Sequence, residues 1–151
     1  MRNYFLFLIA AALSLTACNQ PTQTTTTTLD PMSFEWSGPL FEGSNPAQVT
    51  VKVNPQELLG DLWKEGMEIK KVHLQKAEIT ADNNADFGGI QSLVLSMASN
   101  NPKLHMQEIA ASSPLQPEYN KVVLTMAPQA KIDDYFREKE FYMVNQFKFI
   151  F

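Results

Sequence analysis

The sequence predicts an all-β fold, an antiparallel β-sandwich with one short α-helix. Short segments with alternating apolar and polar side chains recur from about residue 33 onwards. Turn-forming Asn, Pro, Ser and Gly residues separate these segments at intervals of roughly 10 residues, which is typical of a sandwich rather than of alternating strands and helices. A length of 151 residues suits one domain.

Two strands are predicted at the start of this domain. The first covers 33–36, where Phe34 and Trp36 share one face. The second covers 47–53, where strict alternation predicts a row of inward-facing valines. These valines are Val49, Val51 and Val53.

The next residues predict a helix over 55–65. Asn54 can cap its N-terminus, Pro55 fits the first helical position, and Glu57 can reach back to the cap. The apolar side chains at helical spacing are Leu58, Leu59, Leu62 and Trp63, and Gly66 offers a C-terminal stop. The polar side is mainly acidic, which disfavours anionic lipid headgroups, so we expect this helix to pack across one end of the sheet.

A long β-like segment follows over 67–80, and its inward face changes along the way. The inward side chains are Val72 and Leu74 before the change, and Ala77 and Ile79 after it. An extra residue near 75–76 would bulge the strand and switch its faces.

Four further strands are predicted over 90–98, 103–110, 120–127 and 140–151. The inward residues of the first and third are Leu93, Leu95, Met97, Val122, Leu124 and Met126. The last strand places Phe141, Met143, Phe147, Phe149 and Phe151 on one face, with Asn145 as the exception. We expect this strand to close the sandwich rather than to serve as a disposable tail or an outer-membrane targeting signal.

The N-terminus carries an export-like segment. One positive side chain, Arg2, precedes the apolar run 5–13, which is too short for a comfortable membrane span. The run ends at Leu15-Thr16-Ala17-Cys18, which resembles the lipobox of bacterial lipoproteins. This resemblance covers 1–18 and implies that a signal peptide, 1–17, is removed and that Cys18 is acylated. The alternatives are a signal cleaved beside a chance cysteine and an uncleaved anchor.

The resemblance also predicts an organisation and a location. Residues 18–32 form a Thr/Pro-rich linker, which could carry O-linked sugar, and 33–151 form the domain. Two or three acyl chains would hold the protein stably in the cell envelope. Asn19 stands where aspartate is the usual inner-membrane retention signal, so we expect the outer membrane, and the leaflet that the domain faces stays open.

Composition and charge exclude several classes of function. Without 1–17, the chain keeps 11 basic and 16 acidic residues, a formal charge of −5, and no basic patch to bind nucleic acid. The sequence has no Gly-x-Ser-x-Gly motif, its only cysteine is Cys18 and its only histidines are His73 and His105, so we do not expect a serine hydrolase. A zinc site needs three or four ligands, and the sequence has neither a His-x-x-x-His nor a Cys-x-x-Cys motif.

Other polar and aromatic groups fit structural roles better than sites. Within 82–88, oxygen ligands match the opening of a calcium loop, but Phe87 and Leu93 stand where an EF-hand needs glycine and glutamate, which favours a loop without an ion. The carboxylate pairs are Asp133 with Asp134 and Glu138 with Glu140, and neither resembles a glycosidase dyad. The aromatic residues that could stack on a sugar are Trp36, Trp63 and Tyr119, although such side chains more often lie in a core.

We therefore predict an immunoglobulin-like sandwich that serves as a non-enzymatic, lipid-anchored envelope module without cofactor or metal. It would bind or scaffold a protein partner. The alternative is a surface lipoprotein that binds a glycan or a small ligand.

We expect Cys18→Ala to abolish labelling of the full-length chain by an alkynyl fatty acid, because the lipobox makes this thiol the acylation site. Gel fluorescence and membrane fractionation of cells measure the effect against the parent chain. A Cys18→Ala chain that keeps the label, or that is processed to the mature mass and stays membrane-bound, would contradict the assignment.

Overall fold

The computed structural model describes residues 22–36, 39–82, 87–115 and 120–150. This part of the chain is mostly β, with two antiparallel sheets and one short α-helix, which confirms the predicted all-β, sandwich-like fold. No helix within it has the length and apolar character needed to cross a membrane. The elements are β1 (Gly43–Lys52), α1 (Pro55–Leu59), β2 (Glu78–Thr80), β3 (Ile90–Ala98), β4 (Gln107–Ser112), β5 (Lys121–Val123), β6 (Thr125–Met126) and β7 (Glu140–Phe149), with 3-10 turns at Gly60–Leu62 and Asp133–Arg137.

The larger sheet has the strand order β1-β7-β3-β4-β6, and β2 pairs with β5 in the smaller one. β7 is therefore an interior strand, antiparallel to β1 on one side and to β3 on the other. The alternation predicted for 140–151 holds in part, because Phe141 and Met143 are buried, whereas Val144 of the opposite parity is buried as well. Met143 lies opposite Met97 of β3. Phe147 and Phe149 are half-buried, and Phe151 lies outside the described residues. The C-terminal strand is thus a structural element, as predicted.

The core lies between the larger sheet and a second layer made of β2, β5 and extended segments. The predicted inward side chains of β3 are buried, and so are Val122 and Leu124. Phe141 is fully buried and contacts the rings of Tyr135 and Phe136, with ring centroids 6.3 and 5.3 Å away. Burial of the core-facing side therefore accounts for most of the alternating pattern, and the exceptions are Ser96 and Val144, a pair on the other face that is also buried.

Four predicted strands differ from those observed. The strand predicted over 103–110 is β4, which begins at Gln107 and runs on to Ser112. Only Glu78–Thr80 of 67–80 is a strand, although the predicted face change is present, since Gln75 and Lys76 are both exposed. Lys71 has a positive φ of 56°, which departs from the extended backbone of a strand. The segment 33–36 is extended without strand pairing, and 120–127 divides into β5 and β6, which join different sheets.

The helix prediction is wrong in length and in packing. The Asn54 cap and the first helical position of Pro55 are as predicted, since the Asn54 side chain accepts a hydrogen bond from the Gln56 N–H at 3.1 Å. The α-helix ends at Leu59 because Gly60 takes a positive φ of 55°, and a 3-10 turn continues to Leu62. No side chain of either segment is buried, and Trp63 is half-buried outside the core cluster.

We expect Phe141→Ala to lower the free energy of unfolding by about 3–5 kcal/mol, because it leaves a cavity in the core. Trp63→Ala is the comparison, and its loss should be clearly smaller since Trp63 lies outside the core cluster. Chemical denaturation of the full chain in detergent, followed by near-ultraviolet circular dichroism, measures both. An equal or larger loss for Trp63→Ala would contradict this description of the core.

Candidate functional site

One end of the larger sheet exposes apolar side chains, and we call Leu40, Phe41 and Ile150 the apolar end. Phe41 is 62% exposed and Ile150 is 51% exposed. They lie at the same end because Gly43, two residues after Phe41, pairs with Phe149, the residue before Ile150. Exposed large apolar side chains that share one end of a sheet are typical of interaction surfaces.

A buried asparagine holds the backbone of this apolar end. The Asn45 side chain is fully buried, and its Oδ1 accepts a hydrogen bond from the Phe41 N–H at 3.0 Å. Its Nδ2 donates to the carbonyl oxygens of Phe41 at 2.8 Å and of Gly43 at 3.0 Å. These bonds fix the backbone of Phe41 while its ring faces solvent.

Ile150, which follows β7 at this end, is held by a hydrogen bond between backbone groups. The Ile150 N–H donates to the Gly89 carbonyl at 3.0 Å. Gly89 has a positive φ of 76°, and a Cβ there would lie 3.3 Å from the Phe149 ring, so glycine suits both the turn and the close packing. The exposed side chains of the apolar end thus project from an ordered scaffold.

The opposite end of the sheet carries an open polar cleft of about 390 Å³. Its lining residues are Ser99, Asn100, Asn101, Arg137, Glu138, Lys139 and Glu140. Asn101 Nδ2 donates to Glu138 Oε1 at 2.7 Å, and Asn100 Nδ2 donates to the Tyr142 hydroxyl at 2.6 Å. The cleft offers hydrogen-bond donors and acceptors and side chains of both charges, but the side-chain amides of Asn100 and Asn101 already donate to partners within the protein.

The four carboxylates singled out in the sequence are not brought together as a catalytic dyad. Asp133 accepts hydrogen bonds from the N–H groups of Lys71 and Val72, both at 2.8 Å. Asp134 pairs with Arg137 at 2.7 Å. Glu138 accepts from Asn101, and Glu140 lies opposite Lys52 at the end of the β1–β7 ladder. Asp133, Asp134 and Glu138 therefore have structural partners.

The hydrogen bonds of Asp133 change its titration. Partial burial raises its pKa, but the N–H groups of Lys71 and Val72, together with the charges of Arg137 and His73, outweigh that effect and lower the pKa below its ordinary value of 3.8. The carboxylate is thus held in its charged form, where it anchors the segment that precedes β2.

The histidines and metal-ligand candidates stay apart. His73 is exposed, and the His105 carbonyl accepts a short hydrogen bond from the Tyr135 hydroxyl. In the ranges that the structure describes, no group of three or more His, Cys, Asp or Glu side chains could hold a metal ion. The lipidation residue Cys18 and residues 83–86 of the predicted loop lie outside the described residues.

The proposed sugar-stacking residues do not form a platform where they are described. Trp36 packs edge-on against Phe147, with ring centroids 5.5 Å apart. Trp63 is half-buried, and no ring contact joins it to Trp36. Tyr119 lies outside the described residues.

The sequence reading missed the apolar end and its asparagine. A signal was present, because Asn45 occupies an inward position of the strand whose next inward residues are Ala47 and Val49. A polar residue in such a row needs hydrogen-bond partners, and adjacent loop backbone can supply them.

Comparison with known proteins finds no matching family model, curated protein or solved structure.

We expect Asp133→Ala to destabilise the fold by about 1–2 kcal/mol at neutral pH, because two backbone N–H groups lose a charged acceptor near the surface. Since the folded pKa is lowered, this contribution is complete above the ordinary value of 3.8 and is lost as pH falls through the folded pKa.

Denaturation of parent and variant over a pH series measures the difference, and Asp134→Ala, which breaks only an exposed ion pair, is the control with an expected change within about 0.5 kcal/mol. If the difference in the free energy of unfolding between the parent and Asp133→Ala grew as the pH falls, the assigned role would be contradicted.

Proposed function

We propose that the protein is a lipid-anchored, non-enzymatic module of the cell envelope that binds a protein partner through its apolar end. The observation that carries this proposal is the exposed Phe41 ring on a backbone fixed by the buried Asn45. Binding through an ordered apolar surface costs little further conformational entropy. Aromatic side chains on such surfaces commonly supply much of the binding energy.

Acylation of Cys18 would keep this surface in the envelope, and Asn19 favours the outer membrane. The described part of the linker, 22–32, has no helix or strand, yet it touches the domain. Gln75 Nε2 lies 3.5 Å from the Thr26 hydroxyl, and Met32 packs against the core. Contacts of this kind shorten the distance between domain and lipid relative to a fully extended linker.

The electrostatics and the pairing of polar groups support a binding role over catalysis. An acidic chain disfavours nucleic acid as the partner. Asp133 and Glu138, which could have acted in acid-base chemistry, accept hydrogen bonds within the fold. The apolar end, with the exposed Glu42 beside Phe41, fits a protein partner better than a polar substrate.

The alternative is a glycan or small-ligand binding lipoprotein, and the polar cleft favours it. Asparagine side chains and charges of both signs are the groups that hydrogen-bond sugar hydroxyls. A ligand in the polar cleft would have to replace the hydrogen bond between Asn101 and Glu138. Because losing this bond opposes binding, ligand binding in the cleft is the second candidate function.

We expect Phe41→Gln to reduce a specific cross-linked species in envelopes by at least about fivefold, because losing a central apolar contact commonly costs more than 1 kcal/mol of binding. Full-length tagged chains are cross-linked in intact cells, captured and quantified by mass spectrometry. Met106→Gln is the matched control, since Met106 is 57% exposed and precedes β4 at the end of the sheet that holds the polar cleft.

A partner that is lost equally in both variants, or in neither, would contradict binding through the apolar end. A glycan array with the same chains tests the alternative. Glycan binding that Phe41→Gln leaves unchanged and Asn101→Ala removes would favour the polar cleft.

A further inference from the structure

β1 is an edge strand of the larger sheet, and its open edge can be assigned residue by residue. Among the strands that the structure describes, it pairs with β7 alone, in a register that continues to a bond from the Val53 N–H to the Lys139 carbonyl at 2.9 Å. Val53 and Lys139 are directly opposite, so the odd-numbered residues of β1 bond to β7. The even-numbered residues direct their N–H and C=O groups away from the sheet.

This outer edge is protected in only one half. Pro46 occupies an outward position, where the missing N–H removes a donor, as is usual for proline on edge strands. The other half presents Gln48, Thr50 and Lys52, whose side chains are exposed and whose backbone groups make no bond to other described loops or turns. Its pairing with β7 contains no bulge, and Lys52 is its single charge. Few of the features that usually protect an edge strand, namely proline, bulges and charged side chains, are therefore present in this half.

We propose that this half of β1 pairs with the same strand of a second copy of the chain, antiparallel and centred on Thr50. In this register Thr50 lies opposite Thr50 of the second copy, and Gln48 lies opposite Lys52. All outward backbone groups of these residues then find partners, because even-numbered positions meet even-numbered positions. Pro46 falls beyond the paired stretch, so its missing N–H costs no bond.

Side-chain chemistry favours this register and this occupant. On the core-facing side Val49 meets Val51 of the second copy, and both valines are half-buried in the single chain, so pairing buries more of their surface. A shift towards Pro46 places proline in the paired stretch, and a shift the other way brings the two Lys52 side chains together. The edge is self-complementary, as a two-fold interface requires.

The charge of the chain does not oppose this contact. The formal net charge is −4, yet Gly43–Lys52 contains no acidic residue, and Glu140 lies beside Lys52 across the β1–β7 ladder. Two acidic chains can thus approach through a nearly neutral strand. The inference is independent of the apolar end, which lies at the opposite end of β1.

The experiment uses the full chain in detergent. A short thiol-reactive cross-linker should couple two Thr50→Cys chains rapidly, because the two side chains are neighbours at the two-fold axis. Thr125→Cys, an exposed residue of the other edge strand, is the matched control, and the parent chain reports any reaction of Cys18. Mixing Gln48→Cys with Lys52→Cys should give far more cross-linked product than either variant alone.

Sedimentation in the same detergent should show a dimer for the parent and for Phe41→Gln, and a monomer for Thr50→Pro. Thr50→Pro removes an outward N–H and leaves the β7 ladder intact, and its circular dichroism should match that of the parent. A monomeric parent, or Thr50→Cys coupling no faster than Thr125→Cys, would overturn the proposal. A Phe41→Gln chain that dissociates would also overturn it, since the contact would then involve the apolar end.

Discussion

The rest of the fold depends on the double pairing of β7. Its odd-numbered residues bond to β1, as the Val53 to Lys139 bond shows, and its even-numbered side bonds to β3, as the Ile150 to Gly89 bond shows. With the backbone satisfied on both sides, the row that begins with Phe141 faces the core. β1 and β3 do not pair with each other, so the larger sheet is assembled only when the C-terminal strand lies between them.

The second layer is held together differently. Its strands β2 and β5 are only three residues long, and the segment before β2 is fastened by a side chain, Asp133, instead of by a ladder. The Leu124 N–H extends the pairing by one bond to the Ala77 carbonyl before the chain crosses to the larger sheet at β6. A small second layer covers the centre of the larger sheet better than its margin, which is consistent with half-buried Val49 and Val51 on β1.

The sequence predicted the long strands well because alternation directly records burial of one face. It could not place the division between β5 and β6, because Val122 and Leu124 have the same parity and both face the core. The backbone nevertheless changes partner after Leu124, from the segment of β2 to β4. It also misjudged the helix, because apolar spacing does not distinguish a buried face from a short surface helix that ends at a glycine with positive φ. The apolar end was missed for a related reason: alternation identifies buried rows, whereas Phe41 lies outside any row.

Two asparagines interrupt the inward rows of neighbouring strands, and their hydrogen bonds give them opposite effects. Asn145 lies opposite Ala47, and its buried Oδ1 has no partner among the described residues, which costs about 1–3 kcal/mol. Asn45 is as deeply buried, but its oxygen and nitrogen both bond to the backbone around Phe41. The backbone around Phe41 is thus held by hydrogen bonds to the buried Asn45 and not by packing of the Phe41 ring, which is 62% exposed. Because the ring is not needed to hold its own loop, it stays available to contact another molecule.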